Sequence, residues 1–329
     1  MTFSCPSTVI VAKNAIEKLG ELLRSYQHII CVTDEIIQLD YGEKLRRIIG
    51  LDPEWVMAST YQDNTPVNES ADIIVGFGGG RSLDVAKLLA ARTGLEWISV
   101  PTAASHDGIA SEVASVTQDG YRYSKRCRRP SAIVADLSIM LRAPPRLRLA
   151  GTGDILSKAS SLAEWRLGNH KNGEPLNEEA FSLVSSALES VLKNSSLETL
   201  VKAEIDAGRA MCIVGSSRPC SGTEHAISHA MERRYQELHG LQVAFATPLC
   251  LHYLKDLGYA KYGANDLLSL MRKRGLPTTL GEMNTTPDLF IDDVHHALEI
   301  MKKRDRYSVL KDVEDDALLK VISELYEMP

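Results

Sequence analysis

Short apolar runs alternate with helical patterns through the first part of the chain, as far as Ala135. The runs predicted as strands are Val9–Val11, Ile29–Thr33, Trp55–Ala58, Ile73–Phe77, Trp97–Pro101 and Ala132–Ala135. Helical patterns lie at Ala15–Ser25, Tyr41–Ile49 and Ser82–Arg92, whereas the segment 61–70 is too short and polar for a full crossover helix. Apolar strands separated by helices are typical of a parallel sheet that helices cover on both faces.

The pattern changes near Ala143-Pro144-Pro145, beyond which we find no strand-like run. The helices predicted there are Gly153–Trp165, Glu178–Leu192, Leu197–Val214, Gly222–Gln236, Val243–Asp256, Ala264–Arg274, Ile291–Lys303 and Asp315–Tyr326. We therefore predict two domains. An α/β domain with a parallel, Rossmann-like sheet spans residues 1–145, and an all-α domain spans residues 146–329.

Composition excludes several classes of protein. The chain is 44% hydrophobic and 24% charged, as soluble globular proteins are, and no apolar stretch approaches the length of a membrane-spanning helix. The N-terminus has no basic region before its apolar run, and the six cysteines are dispersed without a CxxC pair. With a net charge of −6, these features predict a cytoplasmic protein without membrane insertion or a nucleic-acid partner.

A glycine-rich turn joins the fourth predicted strand to a helix, in the sequence Val75-Gly-Phe-Gly-Gly-Gly-Arg-Ser-Leu-Asp84. Glycines let a backbone approach a phosphate closely, and a helix N-terminus offers free N–H groups and a partial positive charge. The turn therefore indicates a phosphate site, with a tight turn that binds nothing as the alternative. It differs from the GxGxxG fingerprint and does not follow the first strand, which disfavours a plain Rossmann dehydrogenase.

Small polar residues follow the next strand, in the sequence Val100-Pro-Thr-Ala-Ala-Ser-His-Asp-Gly108. Doubly wound folds bind ligands at the carboxyl ends of their parallel strands. Thr102 and Ser105 can donate hydrogen bonds there, and Asp107 can accept them from hydroxyl groups. Turn formation and helix capping explain the same residue types without a ligand.

Three histidines lie close together in the second half, at positions 225, 229 and 239. His225 and His229 would share one helix face, and a catalytic zinc needs about three such ligands and an open position. Asp154 could add a carboxylate to His225 and His239, although the helix dipole alone favours aspartate in a first turn. Ala226 stands where the zinc-protease motif needs a glutamate, so that class is excluded. A solvated helix with scattered histidines remains the alternative.

Two groups of basic residues could bind a phosphate group or could simply face solvent. They are Arg122, Lys125, Arg126, Arg128 and Arg129 in the first half, and Arg304 and Arg306 near the C-terminus.

The order of these motifs resembles a known superfamily. GGGRSLD, VPTAASHDGIAS, GDILSK, SGTEHAISHAME and HG are similar to those of the iron-containing alcohol dehydrogenase and dehydroquinate synthase-like superfamily. Within it they resemble the sn-glycerol-1-phosphate dehydrogenases, which make the glycerol-phosphate backbone of archaeal lipids. The likeness covers nearly the whole chain, and TAASHDGIAS is its most specific part. It implies a dehydroquinate synthase-like fold and the reversible reduction of dihydroxyacetone phosphate by NADH or NADPH.

The resemblance also implies roles for individual residues. The cofactor pyrophosphate would be bound by Gly80, Arg81, Ser82, Leu83 and Asp84. The nicotinamide half would lie against Thr102, Ala103, Ala104, Ser105 and Ser111, and Asp34 would accept hydrogen bonds from the adenosine ribose. One Zn²⁺ per chain would be bound by Asp154, His225 and His239. The substrate would be held by Asp107, Asp154 and His229, with Asp107 and His229 passing a proton. Lys158 stands where some iron-dependent relatives have a fourth ligand, which favours a three-ligand site.

Three other functions remain open. A glycerol dehydrogenase would perform the same chemistry without a phosphate pocket, and a dehydroquinate synthase-like lyase would need a basic pocket for a phosphate and a carboxylate. A metal-free binding protein would have no reason to retain every candidate ligand. We expect a small-molecule substrate and a homo-oligomer.

Overall fold

The computed structural model describes residues 6–118 and 121–326, but not the side chains of residues 117, 118 and 121–124. The chain forms two compact units. The sheet unit comprises Met1–Arg148 and Ser195–Cys212, and the helical unit comprises Leu149–Asn194 and Ile213–Pro329.

The sheet unit is built on a parallel six-stranded sheet. The strands of the unit are β1 (Thr8–Ala12), β2 (Ile29–Thr33), β3 (Glu54–Met57), β4 (Ile73–Gly78), β5 (Trp97–Pro101), β6 (Val113–Gln118), β7 (Tyr121–Arg126) and β8 (Ala132–Asp136). The order in the sheet is β1-β8-β5-β4-β2-β3, and β6 and β7 form a separate antiparallel hairpin. β2, β4, β5 and β8 are buried along their whole length, as central strands of a covered parallel sheet are. The predicted α/β domain is thus confirmed.

The helices of the sheet unit are α1 (Leu19–Leu22), α2 (Glu35–Ile49), α3 (Gly80–Thr93), α4 (Leu137–Met140) and α7 (Leu197–Val214), the last of which runs just past the unit's limit at Cys212. The predicted helix at 15–25 is instead a 3₁₀ turn at Ala15–Lys18 followed by the short α1. The Asp136 carboxylate accepts hydrogen bonds from the backbone N–H groups of Asn14 and Ile16, both at 3.1 Å, and fixes the start of that turn. Residues 58–72 contain no helix, as expected from their polarity.

Two features of the sheet unit differ from the expectations. The hairpin of β6 and β7 was not predicted, because its second strand, YRYSKR, has no apolar run. Helix α7 falls within the predicted all-α domain but belongs to the sheet unit. A Cβ atom on Gly208 would lie 2.7 Å from the Ala110 Cβ and 2.9 Å from the Asp107 carbonyl oxygen. Glycine at this position therefore lets α7 lie directly on the backbone of residues 107–111.

The helical unit contains α5 (Pro145–Asn172), α6 (Glu178–Lys193), α8 (Thr223–Met231), α9 (His239–Asp256), α10 (Ala264–Arg274), α11 (Pro287–Lys303) and α12 (Asp315–Tyr326), with the first turn of α5 assigned to the sheet unit. Its described residues include no strand, which confirms an all-α architecture. One apolar cluster, which includes Leu156, Phe245, Phe290 and Tyr326, forms its core. No helix in the described ranges combines the length and apolarity needed to cross a bilayer.

Candidate metal and cofactor sites

Asp154, His225 and His239 come together in the helical unit, each from a different helix. One ligand atom from each of them lies within 4.8 Å of the other two. Nε2 of His225 is 3.4 Å from Oδ1 of Asp154, and the rings of His225 and His239 have centroids 5.2 Å apart. Asp154 and His225 are buried, and His239 is partly exposed. One carboxylate oxygen and two imidazole nitrogens in this arrangement are a suitable ligand set for Zn²⁺.

A close contact between α5 and α9 at two glycines determines where Asp154 and His239 lie. α5 and α9 approach so closely that a Cβ on Gly153 would collide with the carbonyl oxygen of Gly240, and one on Gly240 would collide with that of Ala150. Asp154 and His239 are the chain neighbours of these two glycines. The close contact of the two helices therefore sets the spacing of the two ligands.

The ends of α8 and α9 differ from the prediction. The helix predicted to reach Gln236 ends at Met231, and His239 begins α9 instead of lying in a turn after α8. The backbone N–H of Tyr235 donates to Met231, and the Gln242 side-chain amide donates to the Tyr235 carbonyl at 3.0 Å. These bonds close the intervening turn and allow His239 to approach His225.

Both histidines of the set already use one ring nitrogen. Nδ1 of His225 lies 2.8 Å from Oε1 of Glu224, and Nδ1 of His239 lies 3.1 Å from the Ser228 hydroxyl oxygen. Glu224 is itself fixed, since it accepts hydrogen bonds from the Gly222 N–H and the Ser160 hydroxyl. Such contacts orient each ring and leave its Nε2 for a metal ion. The sequence analysis missed Glu224 and Ser228, although each adjoins a candidate histidine.

The electrostatics of the set favour an ionised carboxylate. Burial alone would raise the pKa of Asp154, but the charge of Lys158 and the interactions with His225 outweigh burial and lower it. Burial lowers the pKa of His239, so its neutral form is favoured. Ionised Asp154 and neutral His239 are in the protonation states that bind a metal, whereas hydrogen bonds to Asp154 and Glu224 outweigh burial and raise the pKa of His225.

Lys158 is fully buried beside this set. Its ammonium group donates to Oδ1 of Asp154 at 3.0 Å and to the Cys220 carbonyl at 3.2 Å. A protonated amine has no lone pair to offer a metal, so Lys158 cannot act as a fourth ligand while it holds this contact. Its position fits the expectation of a three-ligand site.

His229 lies next to His239, with ring centroids 5.5 Å apart. Its Nδ1 is buried and has no hydrogen-bond partner among the described residues, since the Glu232 carboxylate is 3.6 Å away. Burial lowers the pKa of His229 to about 4. His229, Glu232 and His239 form a second possible ligand set, but it shares His239 with the first. One ion can therefore use His239 with either set, and the first set is the more buried.

The sheet unit presents its own candidate site where β2 and β4 end. The chain moves outward from β2 to β3 and then returns across β2 to β4, so the direction of winding changes between β2 and β4. Open parallel sheets bind ligands at such a point. Asp34 follows β2, and its Oδ1 caps α2 by accepting from the Ile37 N–H at 3.0 Å. A Cβ on Gly78, the last residue of β4, would lie 3.3 Å from Oδ2 of Asp34.

The glycine-rich turn opens α3 at Gly80. Gly79 precedes the helix and no side chain caps its first turn, so the N–H groups of this turn remain suited to an anion. A Cβ on Gly80 would collide with the His106 imidazole, whose Nδ1 accepts from the Gly108 N–H at 2.8 Å. Glycine at position 80 therefore avoids a clash with this ring, and it would also let a phosphate group approach the backbone closely.

The other predicted cofactor residues have different environments. Arg81 is exposed and Ser82 is buried, while the backbone N–H of Leu83 already donates to the Gly79 carbonyl. Asp84 has a structural function that the sequence did not indicate. Its two carboxylate oxygens accept from the Lys87 ammonium and from the Ser115 backbone N–H, which ties the hairpin to α3.

Residues after β5 form a loop at the same sheet edge. Thr102 is buried and its N–H donates to the Gly78 carbonyl at 3.0 Å, which places this loop beside the glycine-rich turn. Ala103, Ala104 and Ser111 are buried, and Ser105 is partly exposed. Asp107 is also partly exposed and begins a 3₁₀ turn at Asp107–Ile109. The predicted nicotinamide contacts thus lie in one loop of the sheet unit.

Most basic residues of the first half are engaged in the fold or face solvent. Arg126 pairs with Glu112 at 2.6 Å, Arg128 donates to the Gly94 carbonyl, and Lys125 is exposed. The side chain of Arg122 lies outside the described residues.

The chain resembles known dehydrogenases in sequence. Residues 10–144 match the family model described as iron-containing alcohol dehydrogenase. A glycerol-1-phosphate dehydrogenase (NAD(P)+) of Pyrobaculum islandicum is 36% identical, over 98% of this chain and 97% of the relative. Another, from Methanosarcina mazei, is 34% identical over 93% of this chain and 90% of its own length.

Solved structures show the same fold at lower identity. Glycerol dehydrogenase from Schizosaccharomyces pombe has a TM-score of 0.79 at 19% identity and covers 99% of this chain and 90% of its own. A probable glycerol dehydrogenase from Sinorhizobium meliloti 1021 has a TM-score of 0.77 at 23% identity. The match covers 98% of this chain and 97% of that structure's chain. By its near full-length similarity to curated relatives, the chain belongs to the glycerol-1-phosphate dehydrogenase family of the iron-containing alcohol dehydrogenase superfamily.

Proposed function

We propose that the protein reversibly reduces dihydroxyacetone phosphate to sn-glycerol 1-phosphate, with NADH or NADPH as the reductant. The relatives named glycerol-1-phosphate dehydrogenase (NAD(P)+) support the substrate and cofactor. The observation that supports the chemistry most directly is the set of Asp154, His225 and His239, with Nδ1 of each histidine already engaged. Glycerol dehydrogenase structures share the fold, but at 19–23% identity they do not indicate the substrate.

In this proposal one Zn²⁺ per chain is held by Asp154, His225 and His239. Bound zinc supplies Lewis-acid polarisation of a carbonyl group. Glu224 and Ser228 keep the two imidazole rings oriented, and Lys158 keeps the Asp154 carboxylate ionised and in place. These residues therefore fix the ligand geometry before any substrate arrives.

His229 and Asp107 are proposed to bind substrate hydroxyl groups and to pass the proton that the reduction consumes. Nδ1 of His229 is suited to this role, because it is buried and has no hydrogen-bond partner in the described part of the helical unit. A neutral imidazole can accept a hydrogen bond at one nitrogen and donate one from the other.

The cofactor is proposed to bind at the carboxyl edge of the sheet. Its pyrophosphate would accept hydrogen bonds from the first turn of α3, with Gly80 allowing the close approach and Ser82 beside it. The adenosine ribose would donate to Asp34, and the nicotinamide half would lie against the loop that contains Thr102 and Ser111. The nicotinamide supplies the hydride.

Initial rates test the proposed function. The zinc-loaded protein is assayed with dihydroxyacetone phosphate and dihydroxyacetone, each with NADH and NADPH, and with glycerol in the presence of NAD+ or NADP+. We expect kcat/KM for dihydroxyacetone phosphate to exceed that for dihydroxyacetone by about two to four orders of magnitude, since charge-assisted contacts to a phosphate contribute about 1.5–3 kcal/mol each. Comparable rates on the phosphorylated and unphosphorylated substrates would instead indicate a glycerol dehydrogenase.

In this proposal the domain of residues 1–145 binds the cofactor. The domain of residues 146–329 binds the metal and the substrate. We also propose a homo-oligomer in the cytoplasm that binds no nucleic acid. The net charge of −6 supports the last point. Light scattering on the purified protein measures the oligomeric state.

A further inference from the structure

One partly buried guanidinium group of the helical unit has neither an ion-pair nor a hydrogen-bond partner among the described residues. Arg304 directly follows α11, and its backbone N–H donates to the carbonyl groups of Ile300 and Met301. Its side chain is partly buried, yet it forms no ion pair or hydrogen bond with any residue in the described ranges. Burying a charge without a partner is costly, so an unpaired buried arginine indicates a place for an anion.

Other buried arginines of the same unit do have partners. Arg218 pairs with Glu174 at 2.5 Å and donates to the Glu164 carbonyl at 3.1 Å. Arg306 donates to the Ser221 carbonyl at 3.3 Å and to the Ser217 hydroxyl at 3.2 Å. The described contacts thus hold Arg218 and Arg306 to the protein and leave Arg304 available to a ligand.

Arg304 follows a helix that packs against part of the candidate site. α11 packs against α8, the helix that presents His225 and His229. The positive charge of Arg304 adds to burial and to His239 in lowering the pKa of His229. Burial also lowers the pKa of Arg306 to about 9, with further contributions from the charges of Arg218 and Arg304. The charge of Arg304 therefore contributes to the positive potential at His229.

The carboxylates of this region do not neutralise Arg304. Glu174 and Glu164 are used by Arg218, and Glu232 faces His229 and His239 at 3.6 Å from each ring. A dianionic ligand could therefore bind at Arg304 without displacing an existing ion pair.

We propose that Arg304 binds the phosphate group of the substrate and so selects a phosphorylated three-carbon ketone or alcohol over its unphosphorylated form. This inference rests on the proposed function and names the residue responsible for its specificity. A guanidinium group offers parallel N–H donors that match two phosphate oxygens. Arg306, already fixed by Ser217 and Ser221, adds positive charge and positions the segment that contains Arg304.

The test compares Arg304→Met with Lys303→Met, which removes the same charge from the neighbouring exposed residue. We measure the ratio of kcat/KM for dihydroxyacetone phosphate to that for dihydroxyacetone. Arg304→Met should lower this ratio about 10- to 100-fold, chiefly through KM for the phosphorylated substrate, whereas Lys303→Met should leave it within about twofold. Arg304→Lys keeps the positive charge but loses the paired N–H donors of the guanidinium group, so it should give an intermediate ratio.

A binding measurement complements the kinetics. Inorganic phosphate should inhibit the wild-type enzyme competitively against dihydroxyacetone phosphate, and its inhibition constant should rise at least tenfold in Arg304→Met. Zinc content and circular dichroism show whether the variant is folded and loaded. If Arg304→Met does not fold, Arg304→Gln and Arg304→Lys are compared with wild type in the same way.

The outcomes separate this inference from the proposed function. A wild-type enzyme that prefers dihydroxyacetone phosphate, together with an Arg304→Met variant that keeps the same preference and phosphate inhibition, would overturn the role of Arg304 alone. A wild-type enzyme without that preference would overturn the proposed function itself.

Discussion

Glu224 is the residue that most directly prepares a candidate metal ligand. It is fully buried, its Oε1 lies 2.8 Å from Nδ1 of His225, and its Oε2 accepts from Ser160. A carboxylate in this position fixes the imidazole ring and makes its other nitrogen a better donor to a metal. The contact with Glu224 would therefore increase the affinity of His225 for a metal ion.

Glu224→Gln should weaken zinc binding while it preserves the fold. The glutamine amide has nearly the same shape and can still accept from His225, so the substitution removes mainly the charge. We expect the zinc dissociation constant to rise about 10- to 100-fold. Competition with a chromogenic chelator measures it, and Glu198→Gln, at an exposed residue of α7, serves as the control. Equal zinc affinity in both variants would exclude this role for Glu224.

Asp34 combines two functions that one substitution can separate. It caps α2 through Oδ1, and its charge would repel the 2′-phosphate of NADPH at the proposed ribose site. We therefore expect wild type to prefer NADH. Asp34→Ser keeps a good capping residue but removes the charge, so the kcat/KM ratio of NADPH to NADH should rise about tenfold.

Asp40→Ser, which removes a charge from the exposed face of α2, is the matched control for Asp34→Ser and should leave this ratio unchanged. If wild type prefers NADPH, or if both variants behave alike, Asp34 does not face the ribose.

At the level of secondary structure elements, the contact between α5 and α9 determines the candidate metal site. Gly240 is the second residue of α9, and a Cβ atom there would overlap the Ala150 carbonyl group of α5. Neither helix can move apart without separating Asp154 from His239. Stability and metal binding should therefore change together when this contact is altered.

Gly240→Ala should lower the free energy of unfolding by about 1–3 kcal/mol, because overpacking a tight contact forces the backbones apart. The variant should also bind zinc more weakly. Gly281→Ala is the control, since a Cβ at that glycine has nothing within 4 Å and its backbone angles suit any residue. Urea denaturation measures stability, and a Gly240→Ala variant as stable as wild type would show that the contact is looser than described.

Elements with strong apolar patterns were predictable from the sequence, and those defined by tertiary contacts were not. All six parallel strands follow apolar runs, because both faces of each central strand are buried. The second strand of the hairpin of β6 and β7 has no such run, and the turn after α8 depends on a side-chain hydrogen bond from Gln242 to the Tyr235 carbonyl, which a helical pattern does not indicate. Asp154, His225 and His239 were recognised by residue type, whereas Glu224 and Ser228 required the structure. Arg304 was a candidate phosphate residue from the sequence, but only the structure shows that its side chain has no partner among the described residues.

On the scale of the whole molecule, the chain combines a parallel-sheet unit with an all-helical unit. The proposed cofactor site lies in the first and the proposed metal site in the second, so the reaction would need both units. Sequence patterns indicated the two architectures but not that α7 belongs to the sheet unit, because a helical pattern does not specify which core covers it.

Oxidation of the two glycerol phosphate enantiomers is the most direct test of the proposed function. The zinc-loaded enzyme is assayed with NAD+ and either sn-glycerol 1-phosphate or sn-glycerol 3-phosphate at equal concentrations. We predict rapid NADH formation with the sn-1 enantiomer and at most a few per cent of that rate with the sn-3 enantiomer, since a metal, a phosphate site and a nicotinamide together define one face of the substrate. Equal rates with both enantiomers, or faster oxidation of unphosphorylated glycerol, would contradict it.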